Sequence, residues 1–221
     1  VAKYIGGVWL PDREEHLIPM IEAGPYFAGA KTFQFRKFAA AFPHIKNFRH
    51  AVDVGAHCGL WTRVLARCFS IVTAFEPNPE LEDCFWMNNP WRKMDERSQI
   101  VHKPVGLGHR AEKLKLNTQL PHSTAFTRID PEGDTEIEIR TLDSFNLEWV
   151  DFIKIDVEGW EANVVRGAET TIRTWQPTLI VEQKPGNAER QGMKQYEAAD
   201  LLRSWGARPI ADISGDVILA F

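Results

Sequence analysis

The chain predicts an α/β fold, a doubly wound and mostly parallel sheet that closes with an antiparallel hairpin. Three observations predict it. Short apolar runs alternate with amphipathic helical patterns from Ala51 onward. The first run, Ala51-Val52-Asp53-Val54, passes through Gly55-Ala56-His57-Cys58-Gly59 into a helix start. Open α/β sheets bind ligands at such a turn, at the carboxyl end of a strand. The last two runs, Pro209–Ile213 and Val217–Phe221, flank Ser214-Gly215-Asp216, a hairpin signal.

Composition narrows the function classes. A net charge of −4 over 221 residues provides no global basic field for nucleic acid. Cys58, Cys68 and Cys84 are odd in number, without C-x-x-C spacing, and read as reduced thiols. No secretory signal pattern or long apolar span appears, so a cytoplasmic location without membrane contact is expected.

In order, residues 1–50 precede the first core strand. Thr32 is expected to cap a helix through Ala41, with Phe35, Phe38 and Phe42 on one face and Pro43 at its end. This segment would pack on the sheet or cap a cleft. Strand Ala51–Val54 leads to a helix from Gly59 to Phe69, burying Leu60, Val64, Leu65 and Cys68. Strand Ile71–Phe75 ends in Glu76-Pro77-Asn78-Pro79, where the prolines fit a helix start. Strand Gln99–Val105 follows. Lys113–Leu116 and Glu136–Ile139 alternate, and predict antiparallel strands flanking a polar surface loop. Then come strand Asp151–Val157, a helix from Trp160 to Trp175, strand Thr178–Glu182 and a helix over Met193–Trp205.

Asp53 gives the first turn its chemistry. The pyrophosphate-binding fingerprint G-x-G-x-x-G is missing its middle glycine here, and a carboxylate at the mouth of the turn would repel pyrophosphate. It would favour a cationic ligand such as S-adenosylmethionine. Glu76 closes the adjacent strand, where a carboxylate can accept both ribose hydroxyls. The alternative, in which both acids merely cap local turns, stays open at this stage.

The second informative stretch is Lys154-Ile155-Asp156-Val157-Glu158. Central parallel strands are normally apolar on both faces, yet Lys154, Asp156 and Glu158 share one parity. A buried lysine needs a partner, and Glu182 at the next strand end is the expected one.

Several motifs occur in sequence order: Asp53-Val54-Gly55-Ala56-x-x-Gly59-x-x-Thr62, Phe75-Glu76-Pro77, Thr141-Leu142-Asp143, Lys154-Ile155-Asp156-Val157-Glu158-Gly159-x-Glu161 and Arg166-Gly167-Ala168. With Pro177 and Glu182 they resemble the FkbM-type family of S-adenosylmethionine-dependent methyltransferases, over about residues 50–185. The resemblance implies a seven-stranded class I methyltransferase sheet and O-methylation of a hydroxyl, often on a sugar or a polyketide-like product. It places Asp53, Gly55 and Gly59 in the donor loop and Glu76 on the ribose. The family usually carries asparagine where His57 stands, so the role of His57 does not transfer. Residues 1–50 then form an N-terminal helical extension, and 51–221 a Rossmann-like domain with a loop and β insertion at about 107–140.

The expected donor site comprises Asp53, Val54, Gly55, Ala56, His57, Gly59, Glu76, Pro77, Asn78, Val105 and Asp156, binding S-adenosylmethionine and releasing S-adenosylhomocysteine. The expected catalytic set is Glu158, Asp156, Lys154 and Glu182. Glu158 is the first choice as general base, with Glu182, His57 and His122 as alternatives. No dedicated metal-ligand set is visible, and no metal is expected, although Asp156, Glu158 and Glu182 would suit a divalent ion. Trp9, Trp86 or Trp91 would stack on a substrate ring. The expected partner is a hydroxyl-bearing small molecule or glycan. A nucleic-acid methyltransferase acting on a ribose 2′-hydroxyl or a base is the alternative, with only Lys31, Arg36 and Lys37 as a basic patch. A nicotinamide enzyme and a non-enzymatic cofactor-binding module are disfavoured by the acids at the strand ends.

Overall fold

A computed structural model describes residues 1–27, 30–90, 99–119 and 121–221. Trp91, a candidate stacking residue, lies outside the described residues. Seven strands form the main sheet: β1 (His50–Val54), β2 (Ile71–Phe75), β3 (Gln99–Lys103), β4 (Val150–Ile155), β5 (Thr178–Glu182), β6 (Arg208–Ile213) and β7 (Asp216–Ala220). Their spatial order is β6-β7-β5-β4-β1-β2-β3. The run from β5 to β3 is parallel, and β7 is antiparallel to both neighbours. Ser214 and Gly215 both take positive φ, +57° and +84°, which fits the tight turn joining β6 to β7.

Alternate side chains build the two faces of the core. Val52, Val54, Ile153, Ile155, Leu179 and Val181 face the helices that follow β4 and β5. Ala51, Val72, Phe152 and Ile180 face the other way, onto Phe38, Trp61 and Leu65. Phe38, from the helix Phe35–Ala41, meets Phe152 edge-on at 5.8 Å and Trp61 at 6.2 Å. Lys37 of that helix is buried and ion-paired with Asp216 of β7. The N-terminal segment is therefore fastened to the sheet by an aromatic contact and a charge pair.

Several elements differ from their expected bounds. The helix expected from Thr32 begins at Phe35, because Gln34 has φ +55° and the Thr32 hydroxyl donates to Pro25 O at 2.6 Å. Residues 1–50 are not purely helical either. Ala2–Ile5 pairs antiparallel with Val8–Pro11 through Gly6-Gly7, both at positive φ, and Ile18–Ala23 is helical. A Gly-Gly pair between apolar runs is a hairpin signal, and here it marks the turn. The helix after β1 is the short Leu60–Leu65.

Strand β4 ends at Ile155 instead of Val157, because the amides of Val157 and Gly159 turn to the Glu161 carboxylate, at 3.1 and 3.0 Å. The expected helix Trp160–Trp175 is two helices, Glu161–Arg166 and Glu169–Trp175. A Cβ on Gly167 would sit 1.9 Å from Gly108 O, so the chain here packs directly on another backbone. Asp143 accepts the amides of Thr170 and Thr171, at 2.9 and 2.8 Å, and caps the second helix from a distance. The helix expected over Met193–Trp205 begins at Glu197. In the insertion, Glu112–Asn117 and Thr135–Arg140 pair antiparallel as expected, within a four-stranded sheet completed by Arg128–Ile129 and Gly106–Leu107. Among the described residues, no helix is long and apolar enough to cross a membrane.

Candidate active site

The carboxyl ends of β1, β2, β4 and β5 open into a cleft of about 670 Å³. Its floor includes Val54–His57, Glu76 and Pro77, and Lys154 with Asp156–Glu158. The insertion supplies another wall, and the segment Leu17–Lys37 closes a further side through Leu17, Met20, Phe33 and Phe35. A parallel sheet exposes backbone ends and charged turn residues only at such an edge, so the polar groups gather there.

Asp53 lies beneath this floor and does not line the cleft. Its carboxylate pairs with Lys154 at 3.2 Å and accepts the Thr62 hydroxyl at 2.7 Å. Lys154 also donates to Gly55 O at 2.6 Å and Val54 O at 3.2 Å. Burial opposes its charge, but Asp53 and Asp156 outweigh that and raise its pKa. The expected Lys154–Glu182 pair is not formed. Register explains this: Lys154 is flanked by Asp53 on β1 and Ile180 on β5. Lys154, expected in the catalytic set, thus pins the turn after β1. The turn itself demands Gly55, which has φ +73° and would place a Cβ 1.9 Å from Asp156 O.

Glu76 accepts the amides of His57 at 2.8 Å and Asn78 at 2.9 Å, one on each oxygen. It ties the turns after β1 and β2 together, and each oxygen keeps a second lone pair at the cleft wall. Burial raises its pKa. Pro77 and Val105 line the cleft, whereas Asn78 and Gly59 do not. Asn78 instead caps the turn Pro79–Leu81 by accepting Glu80 N–H. Gly59 is needed for packing: a Cβ there would meet Asn89 Nδ2 at 2.3 Å.

The acids after β4 and β5 converge. Asp156, Glu158 and Glu182 each offer one oxygen within 4.8 Å of the others, a spacing that would also suit a divalent cation. Lys184 is ion-paired with Glu182 beside them. Burial pushes Asp156 up, but Lys154, Lys184 and Lys37 outweigh it and hold its carboxyl low. Burial and the Asp156 charge raise Glu158 to about 7, and the same causes raise Glu182 to about 9. Asn187 Nδ2 donates to both Glu158, at 3.0 Å, and Glu182, at 3.2 Å. Glu158 holds φ +53°, a strained value for a side-chain-bearing residue. It lines the cleft, while Glu182 lies behind it.

His57 lines the cleft with φ +52°. Burial pushes its imidazole down to about 4, against the pull of Glu14. His122 drops out as a base: it is exposed, contacts Glu15 and is not part of the cleft. Residues that sequence reasoning missed are Glu14, Thr124 and Asn187. Glu14 is fully buried and accepts amides from both the N-terminal segment and the insertion. No local spacing signals such a pairing. Of the basic patch, Lys37 is buried against Asp216, and Lys31 donates to Glu22 O.

These features fit a cationic, ribose-bearing methyl donor. Glu76 has lone pairs for a diol, Val105–Leu107 supply a largely apolar wall, and Asp156 with Glu158 supplies counter-charge.

Comparison with known proteins bears on the family and the fold. The methyltransferase FkbM domain matches residues 53–209. Methyltransferase 1 of Beauveria bassiana is 25% identical over 146 residues, 53% of this chain and 57% of that protein. The chain thus spans little more than half of that relative. The crystal structure of methyltransferase FkbM from Methylobacillus flagellatus superposes with a TM-score of 0.53 at 20% identity, covering 78% of this chain and 43% of the other. The N-methyltransferase NodS of Bradyrhizobium japonicum, solved with S-adenosylhomocysteine, superposes with a TM-score of 0.52 at 10% identity over 95% and 92% of the two chains.

Proposed function

This chain belongs to the FkbM methyltransferase family, and from that premise we propose that it transfers a methyl group from S-adenosylmethionine to a hydroxyl of a small molecule or sugar. One observation carries the choice of oxygen. Glu158 stands at the cleft floor with its carboxyl raised to about 7, matched to removing a hydroxyl proton near neutral pH.

When bound, S-adenosylmethionine supplies an electrophilic methyl group on a sulfonium. Glu76 would hold the ribose hydroxyls, and the carbonyl oxygens of the turn after β1, braced by Lys154, would accept from the ammonium of the methionine portion. The amides of Gly55, Ala56 and His57 are already bonded to Phe75 O and Glu76. Asp156 supplies negative charge beside that position. Glu158 takes the proton from the acceptor hydroxyl. Asn187 orients Glu158 by donating to Oε2, and Arg190 holds Asn187 by donating to its Oδ1. Burial and the neighbouring Asp156 and Glu158 push Glu182 up, and its ion pair with Lys184 offsets part of the repulsion among the three acids. The cleft wall is apolar and aromatic at Met20, Phe33, Phe35 and Phe126, with Gln34, Arg36, Thr127 and Arg128 as polar neighbours. That favours an acceptor whose hydroxyl sits on an apolar or aromatic body.

The test pools phenols, hydroxylated lipids, sugars and RNA with radiolabelled donor. Label transfer to oxygen of a small molecule, lost in Glu158→Gln, supports this reading. Transfer only to nitrogen or to RNA, or full activity in Glu158→Gln, contradicts it.

A further inference from the structure

Glu14 lies outside the segment matched by the family, and it is linked to the donor loop through Thr124. Its Oε1 accepts Leu17 N–H at 2.9 Å. Its Oε2 accepts Thr124 N–H at 2.6 Å and the Thr124 hydroxyl at 2.8 Å, with Ser123 Oγ and Ala125 N–H each at 3.3 Å. Every contact is a donor, so the carboxylate acts as acceptor only. The same Thr124 Oγ1 lies 2.8 Å from His57 Nε2. A hydroxyl has one proton. Because Thr124 gives it to Glu14, Thr124 can only accept from His57, and Nε2 must carry the proton.

We propose that Glu14 and Thr124 are positioning residues that fix His57 as its Nε2–H tautomer, leaving Nδ1 as a bare hydrogen-bond acceptor in the cleft. Nδ1 has no protein partner among the described residues, and His57 lines the cleft. A ligand group that donates N–H or O–H is what this nitrogen would take: the ammonium of the methyl donor or the hydroxyl of the methyl acceptor. The low basicity of His57 keeps it neutral near pH 7, with Glu14, Lys154, Asp156 and Glu80 as the charged groups around it. The relay also joins the N-terminal segment and the insertion to the turn after β1. The geometry stands by itself, while its bearing on methyl transfer rests on the function proposed above.

The experiment is a two-bond ¹H–¹⁵N correlation spectrum of ¹⁵N-histidine protein, with the His57 signal assigned by its loss in His57→Gln. In wild type near neutral pH, one neutral Nε2–H tautomer is expected. Thr124→Val should mix or invert the tautomers, and Thr124→Ser should restore the wild-type pattern. Cooperative thermal unfolding of the two Thr124 variants is the check that they are folded. Adding S-adenosylhomocysteine separates the two ligand sources: a shift at Nδ1 assigns it to the donor's ammonium, and an unmoved Nδ1 leaves it to the acceptor's hydroxyl. An Nδ1–H tautomer or an imidazolium in wild type overturns the proposal, as does a Thr124→Val spectrum like wild type. None of these readouts depends on methyl transfer being found.

Discussion

Lys154 holds the turn after β1 from below, through Asp53 and two backbone carbonyls. Removing one member of a buried ion pair strands the other, which typically destabilises by about 3–5 kcal/mol. Lys154→Met is expected to lose stability of that order in urea denaturation, and to weaken S-adenosylhomocysteine binding with it. Glu158 has a separate signature. Its raised folded pKa means that the folded state binds the proton more tightly than the unfolded chain. Stability therefore falls as pH rises from the ordinary carboxylate range to about 7, then levels off with respect to this group. Glu158→Gln should reduce that fall, measured by urea denaturation across the range. In activity, the acid limb near 7 should vanish in the same variant, with kcat down by roughly 10²–10⁴-fold. The acids at strand ends were legible because period-two patterning and turn residues mark where strands stop. The partner of Lys154 was not, because parity gives the face of a strand and leaves its register open. Glu14 and Thr124, 110 residues apart, meet only through tertiary structure.

Among the elements, the helix Phe35–Ala41 is held to the sheet chiefly by Phe38, which is 1% exposed. Phe38→Ala should destabilise by about 3–5 kcal/mol, and thermal unfolding would show it. The Phe35, Phe38 and Phe42 spacing made this helix readable, whereas its start was misplaced because Thr32 spends its hydroxyl on Pro25. The break at Gly167 is a lesson of the same kind. Helical periodicity runs through the site, but contact with the Gly108 backbone and capping by Asp143 make two helices of one pattern. Asp143→Ala should cost about 0.5–2 kcal/mol, as for loss of a helix cap.

At the scale of the molecule, the doubly wound class and the closing hairpin follow from the alternation of apolar runs and helices, whereas the seven-stranded count is what the family resemblance implies and the strand order is set by the folded sheet. The cleft walls do not. They come from residues 16–37, from 124–129 and from the β6–β7 turn, which meet only once the sheet is built. The family match begins at residue 53, so the N-terminal wall lies beyond it, and the acceptor proposed above would be selected by that wall and by the insertion. The central claim is that this cleft holds the methyl donor, with Glu76 gripping it. Calorimetric titration with S-adenosylhomocysteine tests it most directly. One site per chain is expected in wild type, and Glu76→Ala should weaken binding by about 1.5–3 kcal/mol, as for hydrogen bonds to a charged group. No binding by wild type, or equal binding by Glu76→Ala, would contradict the account.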